Sequence, residues 1–357
     1  MQALAEVSET LGDGFIELTG RGNVQLRGIT DVDAVAQLLT AAELVPSTSH
    51  EKVRNIEVSS ATGRVGGLSN VWPLATALDA ALRAEPSLSS LSGRFLFGID
   101  DGRTDIALRR PDVCAVLRLD REALVVEVLV DGITAGTVHG VRLAPGDDLG
   151  AVADTVIAPL LATAGDMVEI SAGTKAWRIR DLDDSARNEL LARARTRLTG
   201  SLADPLDIVT PEPQVGWFGQ HDGRVMLGGV VELARIPARL AQFLAAIDAP
   251  IVITPNREIL VGDLTEGVAE TVVRVLAPMG LIFDAASPWT LLSCCVGAPG
   301  CTNARAEVRT DLLARIDSGE PITDREHWVG CARGCGTPPQ EHVRVEADGT
   351  QYLRSHR

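Results

Sequence analysis

One segment of this chain is written twice. Ile16–Thr30 reads IELTGRGNVQLRGIT, and Ile251–Thr265 reads IVITPNREILVGDLT. Aligned without a gap, Ile16 meets Ile251, Thr19 meets Thr254, Val24 meets Ile259, Leu26 meets Val261 and Thr30 meets Thr265. An internal repeat constrains a fold strongly, because both copies must adopt one supersecondary unit and bury the same face. Each copy predicts a strand, a turn and a second strand. A helix follows at matching positions. Val32, Val35, Leu38, Leu39 and Ala42 form one apolar stripe, and Val268, Val272, Val275 and Met279 form the other. A helix also precedes each copy, carried by Leu4, Val7 and Leu11 in the first and by Ile236, Leu240, Phe243, Leu244 and Ile247 in the second. The expected fold is α+β with pseudo-twofold symmetry.

The copies differ at their starts. A hairpin of Gln214–Phe218 and Arg224–Leu233, around a His221-Asp222-Gly223 turn, precedes only the second. The first is expected to lack these strands, through real loss or a start placed too late. Between the copies, Phe95–Ile99 and Asp105–Leu108 predict strands around an Asp100–Arg103 turn. Val113–Leu119 and Ala123–Val130 follow, with a turn at Asp131-Gly132, and Ala151–Ala164 and Asp184–Thr199 predict helices. Asp204–Pro213 is the best linker. The 357 residues, 45% apolar, suffice for real cores. Met1–Leu11 holds Glu6 and Glu9 without a basic start, unlike a signal peptide. Ala285–Ala304 carries no charge, but Pro288, Gly297, Pro299 and Gly300 break it, so no membrane span is expected.

Five of the six cysteines crowd the C-terminal region. A secreted disulfide framework would spread further, so a reducing, cytoplasmic compartment is expected. Cys295-x5-Cys301 and Cys331-x3-Cys335 sit in Gly-rich loops, CVGAPGC and GCARGCG. Zinc ribbons use tighter pairs at both ends. An x5 spacing among small residues suits the larger body of an iron–sulfur cluster. Zinc and inert or redox thiols remain the alternatives. Ala304–Ile316 predicts a helix, which would set Cys301 just before a helix N-terminus, where thiolate is favoured. Cys294 adjoins Cys295 and could replace it. Cys114 lies in an apolar strand and is expected to pack.

The balance of 33 basic against 48 acidic residues gives a net charge of −15, which disfavours nucleic acid and anionic membranes as partners. Lys52 and Lys175 are the only lysines, so an anion here is held by arginine. Arg21, Asn23, Gln25 and Arg27 alternate along one predicted strand, which puts them on one face without any Asp or Glu. Copy two keeps the apolar face and replaces the polar one with Asn256, Glu258, Leu260 and Gly262. Copy one is therefore expected to bind an anion.

TGRGNVQLRGI (Thr19–Ile29), VRNI (Val53–Ile56), GRFLFGIDDG (Gly93–Gly102), the two cysteine pairs and the doubled half-domain together resemble the siroheme nitrite/sulfite reductase superfamily. The resemblance spans nearly the whole chain and is closest to the precorrin-3B synthase branch of aerobic cobalamin biosynthesis. It implies a duplicated nitrite/sulfite reductase-like architecture: two ferredoxin-like half-domains plus mixed α/β cluster- and tetrapyrrole-binding domains. The implied bounds are 1–64, 65–204, 205–281 and 282–357. It implies a [4Fe–4S] cluster on Cys295, Cys301, Cys331 and Cys335, with siroheme or a non-haem iron as a further cofactor. Arg21, Asn23, Gln25, Arg27, Arg54, Asn55 and Arg94 would face the tetrapyrrole and its carboxylates. In the reductases two lysines flank the Phe of the GRFLF position and help deliver protons. Here those residues are Arg94 and Leu96, so oxyanion reduction looks handicapped. The implied reaction is O2-dependent C20 hydroxylation and lactone formation on precorrin-3A. Electrons would come from an NADH-linked reductase or a ferredoxin. No catalytic acid, base or nucleophile is assigned. The six histidines are scattered, show no 2-His-1-carboxylate spacing and are mostly expected at the surface. The alternatives are a siroheme-dependent assimilatory sulfite or nitrite reductase and a non-catalytic zinc-stabilised binding module.

Overall fold

The computed structural model describes residues 1–349 and 351–357. The chain forms two compact units, one of residues 1–42 and 212–357, the other of residues 43–211. Both repeat copies therefore lie in one unit, and residues 43–64 group with the insert.

Copy one runs through α1 (Gln2–Thr10), β1 (Phe15–Leu18), β2 (Val24–Leu26) and α2 (Val32–Ala41). The expected hairpin forms: β1 and β2 pair antiparallel, with Ile16 opposite Leu26. The Asp31 side chain caps α2 by accepting from Ala34 N. The apolar stripe of α2 is not buried; Val32 is 71% exposed.

The insert unit is a five-stranded sheet ordered β3 (Ile56–Val58), β4 (Phe97–Asp100), β5 (Val113–Asp120), β6 (Ala123–Val130) and β7 (Ile133–Thr137). Three helices accompany it: α3 (Trp72–Ala84), α4 (Ala153–Ile170) and α5 (Asp184–Thr196). The β-branched runs VCAVLRLD and ALVVEVLV make the central antiparallel pair. Asp105–Leu108, expected as a strand, is not one. The Asp100 carboxylate accepts from the backbone N–H of Gly102, Thr104, Ile106 and Ala107, which curls the chain around it. Cys114 packs fully buried in β5, as expected. Leu149–Ile170 is long and apolar enough to cross a membrane, but Val156, Leu160 and Ala164 of this segment lie in the unit's own core.

No helix or strand occupies residues 201–213, where the linker was expected, and the unit boundary falls between 211 and 212. Copy two then runs through β8 (Gly216–Gly219), β9 (Val225–Val231), β10 (Arg235–Pro237), α6 (Ala238–Ala245), β11 (Ile251–Ile253), β12 (Ile259–Leu264), α7 (Glu266–Leu276) and β13 (Leu281–Ile282). The register repeats: Ile251 faces Val261 as Ile16 faces Leu26. The buried face of α7 is Ala269, Val272 and Leu276, while Val268 and Val275 stay exposed. Ile236, expected in the helix, belongs to β10 instead and pairs with Ile16 of β1. A strand from copy two thus extends the sheet of copy one. The two copies share one core, in which Ile16, Ile236, Leu240 and Ile259 are almost fully buried. Each such side chain contributes about 1.5–3 kcal/mol of transfer free energy.

The C-terminal region adds β14 (Leu292–Cys294), α8 (Val308–Asp317), β15 (Glu326–Val329), β16 (Val343–Asp348) and β17 (Gln351–His356). Their sheet is ordered β14-β15-β16-β17, parallel except for the last pair.

Candidate metal centre

Two loops carry the four paired thiols. Cys295–Cys301 leaves β14, and Cys331–Cys335 leaves β15, the neighbouring strand. Backbone bonds hold the loops together: Cys295 N donates to Trp328 O at 2.9 Å, and Arg305 N donates to Gly330 O at 2.8 Å. Gly330 N donates to the Cys295 sulfur at 3.2 Å. This approach requires glycine, since a Cβ at position 330 would stand 2.7 Å from Ala304 Cβ. Pairs distant in sequence are thus brought to one place.

Cys301 does not precede a helix directly, because α8 begins only at Val308. A turn follows instead, with Ala304 N donating to Cys301 O at 3.1 Å. The amide of Asn303, aided by that of Ala304, pulls the Cys301 thiol below its ordinary value. Burial pushes the Cys294 thiol up to about 11, which keeps it protonated. Cys295 is the member of the doublet that receives an amide.

This donor set suits a thiolate-bound group. Amide donors to sulfur and a lowered thiol are what metal-bound cysteines use. Among the described residues, the one group of His, Cys, Asp or Glu with at least three ligand atoms within 4.8 Å of one another is Asp100, Asp101 and Asp105.

His327 backs the loops. It is fully buried, its Nδ1 lies 2.8 Å from Ser293 Oγ, and its Nε2 lies 3.1 Å from Cys335 O. Burial, with the nearby Arg257 charge, pushes it down to about 3, so the ring is neutral. His342 meets it edge-on at 6.1 Å, and His50 is also buried. Half of the histidines are therefore interior, not superficial. The one signal was the polar residues inside the short run EHWV, which forms a strand buried along its length.

The arginine face is shorter than the alternation suggested. Only Val24–Leu26 is strand, and Arg21 and Asn23 belong to the turn. Arg21, Asn23 and Gln25 are exposed. Arg27 bonds Glu17 at 2.6 Å from Nε and Gln25 at 3.0 Å from Nη2. Glu17 stands opposite Gln25 and also accepts from Arg309 of α8 at 2.6 Å. An acid on the adjacent strand therefore engages a face that the sequence showed as acid-free. A cavity of about 630 Å³ opens there, lined by Arg27, Arg309, Asp13, Glu307 and the Val296–Gly300 side of the first cysteine loop.

Arg54, Asn55 and Arg94 lie in the insert unit. Arg54 bonds Asp79 at 2.6 Å and Glu51 at 3.2 Å. Asn55 donates to the carbonyls of Lys52 and Gly93.

Residues 1–42 match the nitrite/sulfite reductase ferredoxin-like half domain. The solved structure of the Mycobacterium tuberculosis NirA protein superposes with a TM-score of 0.73 at 18% identity, covering 99% of this chain and 70% of that one. A precorrin-3B synthase from a Sinorhizobium species is 28% identical over 356 residues, covering 97% of this chain and 73% of the relative. Over nearly the whole chain the fold is that of the NirA protein. The guanidinium of Arg94 stands 4.1 Å over the Trp177 ring. Leu96 is buried, and its N–H donates to Asp112 at 2.8 Å.

Proposed function

We propose that this enzyme converts precorrin-3A to precorrin-3B in the cytoplasm, during aerobic cobalamin biosynthesis. One oxygen atom of O2 enters as the C20 hydroxyl. The other leaves as water, with two electrons and two protons supplied through an external donor, and a ring-A acetate closes the lactone. The observation that carries this choice is the pair of side chains at 94 and 96. A buried leucine and a stacked guanidinium offer no proton to a bound oxyanion. A precorrin asks less of those positions. The likeness to a precorrin-3B synthase along nearly the whole chain supports the same reading.

Cys295, Cys301, Cys331 and Cys335 would hold a [4Fe–4S] cluster, which when bound passes single electrons. The Gly330 amide would stabilise the Cys295 thiolate, and the amides after Cys301 would do the same for its sulfur. Arg21, Asn23, Gln25 and Arg27 would bind carboxylates of the substrate, as would Arg54, Asn55 and Arg94. Fork geometry makes arginine suited to this.

Anaerobic purification with metal analysis and turnover tests this reading. It expects about four iron and four sulfide per chain, and product only with O2 and a reductant. The same yield under strict anaerobiosis overturns it. Tightly bound siroheme with a Soret band would instead favour a sulfite or nitrite reductase, and zinc without sulfide would favour a binding module.

A further inference from the structure

The repeat makes Arg257 conspicuous. In both turns a threonine hydroxyl accepts from the amides two and four residues on: Thr19 from Arg21 and Asn23, Thr254 from Asn256 and Glu258. In both, the third residue after the threonine is left-handed, with φ 62° at Gly22 and φ 66° at Arg257. Copy one places glycine there, as that conformation favours. Copy two places a long cationic side chain, at a cost in backbone strain. Strain retained at one position of a duplicated turn directs attention to what the side chain does.

The side chain reaches the second cysteine loop. Arg257 Nη2 donates to the carbonyl of Gly336, the residue after Cys335, at 2.8 Å. It also lies against copy one, since a Cβ at Gly20 would stand 3.3 Å from Nη2. The neighbouring Asn256 accepts from Gln340 Nε2 at 3.2 Å. With His327 at the Cys335 carbonyl, successive carbonyls of the loop are each held by a side chain. The turn of copy two is thus the seat of the Cys331–Cys335 loop.

We propose that Arg257 is a positioning residue for the second cysteine pair, fixing the Cys335–Gly336 segment and setting a permanent positive charge beside the reducible centre. The charge part rests on the iron–sulfur reading above; the positioning part does not. A fixed cation near a thiolate-bound centre favours the form carrying one more electron.

The test compares Arg257→Gly and Arg257→Lys with the parent full-length protein. Glycine restores the residue of copy one and suits the turn, so Arg257→Gly is expected to keep or raise thermal stability. Amide hydrogen exchange in the 331–340 peptide is expected to quicken several-fold in Arg257→Gly, with the 296–304 peptide unchanged. Its reduction midpoint is expected to move negative; a tenfold loss in the reduction equilibrium is about 59 mV for one electron. Arg257→Lys, which keeps the charge without the fork, is expected to hold most of the potential while its loop exchange still quickens. Unchanged exchange in Arg257→Gly overturns the positioning role, and an unchanged potential overturns the charge role. A parent without iron and sulfide overturns the cluster reading itself, while hydrogen exchange still decides the positioning.

Discussion

The turns at Thr19–Asn23 and Thr254–Glu258 are built from the same bonds and face different tasks. Each uses one threonine hydroxyl and the backbone, so the tip side chains are free to diverge. In copy one they are Arg21 and Asn23, both exposed. In copy two they are Asn256 and Arg257, which grip the cysteine loop. Duplication here preserved a scaffold while the tip side chains diverged.

The sharpest break between the two should appear in metal content. Cys335→Ser is expected to lose most of its iron and sulfide, whereas Arg21→Ala keeps the parent's amounts, as read by metal and acid-labile sulfide analysis. Equal loss in both would erase the distinction.

The threonines offer a stability comparison. Thr254 is buried and also donates to Glu258 Oε2 at 2.8 Å, so Thr254→Val leaves a buried carboxylate short of a donor. Urea titration is expected to show a loss of about 2–3 kcal/mol there and about 1 kcal/mol or less for Thr19→Val.

Arg21→Ala should then raise the KM for the tetrapyrrole about tenfold with kcat and thermal midpoint nearly unchanged, about 1.4 kcal/mol of uniform binding. An Arg257 variant that reproduced this KM effect would blur the division.

The smallest effect concerns pH. Glu258 stands where copy one has Asn23, and burial raises its pKa above the ordinary carboxylate value. The folded state therefore binds a proton more readily than the unfolded one, and this group's contribution to stability grows as pH falls through the folded pKa. Glu258→Gln is expected to be the more stable protein at pH 8, and the gap in urea midpoint should narrow on going down to pH 5.

Much of this comparison was legible in the sequence. The gapless match of Thr19 with Thr254 and Leu26 with Val261 gave the hairpins and their register, because side-chain period and turn chemistry are local properties. Non-local terms escaped. Asp105–Leu108 has strand-like residues, but the Asp100 carboxylate just upstream claims the amides of Ile106 and Ala107, a capture that residue type alone does not disclose. The Arg21–Arg27 alternation hid Glu17, which only strand pairing sets opposite Gln25. Arg257 looked like an ordinary turn residue because nothing in TPNREI discloses its φ or the carbonyl it reaches.

The pairing of β1 with β10 also bears on how the protein is made. The insert holds its own core and can close as it leaves the ribosome. The first 42 residues must wait, because their sheet lacks a strand until Arg235–Pro237 has been synthesised. During that interval Ile16 has no Ile236 to pack on, and the nascent amino-terminal segment is the part a chaperone would have to shield.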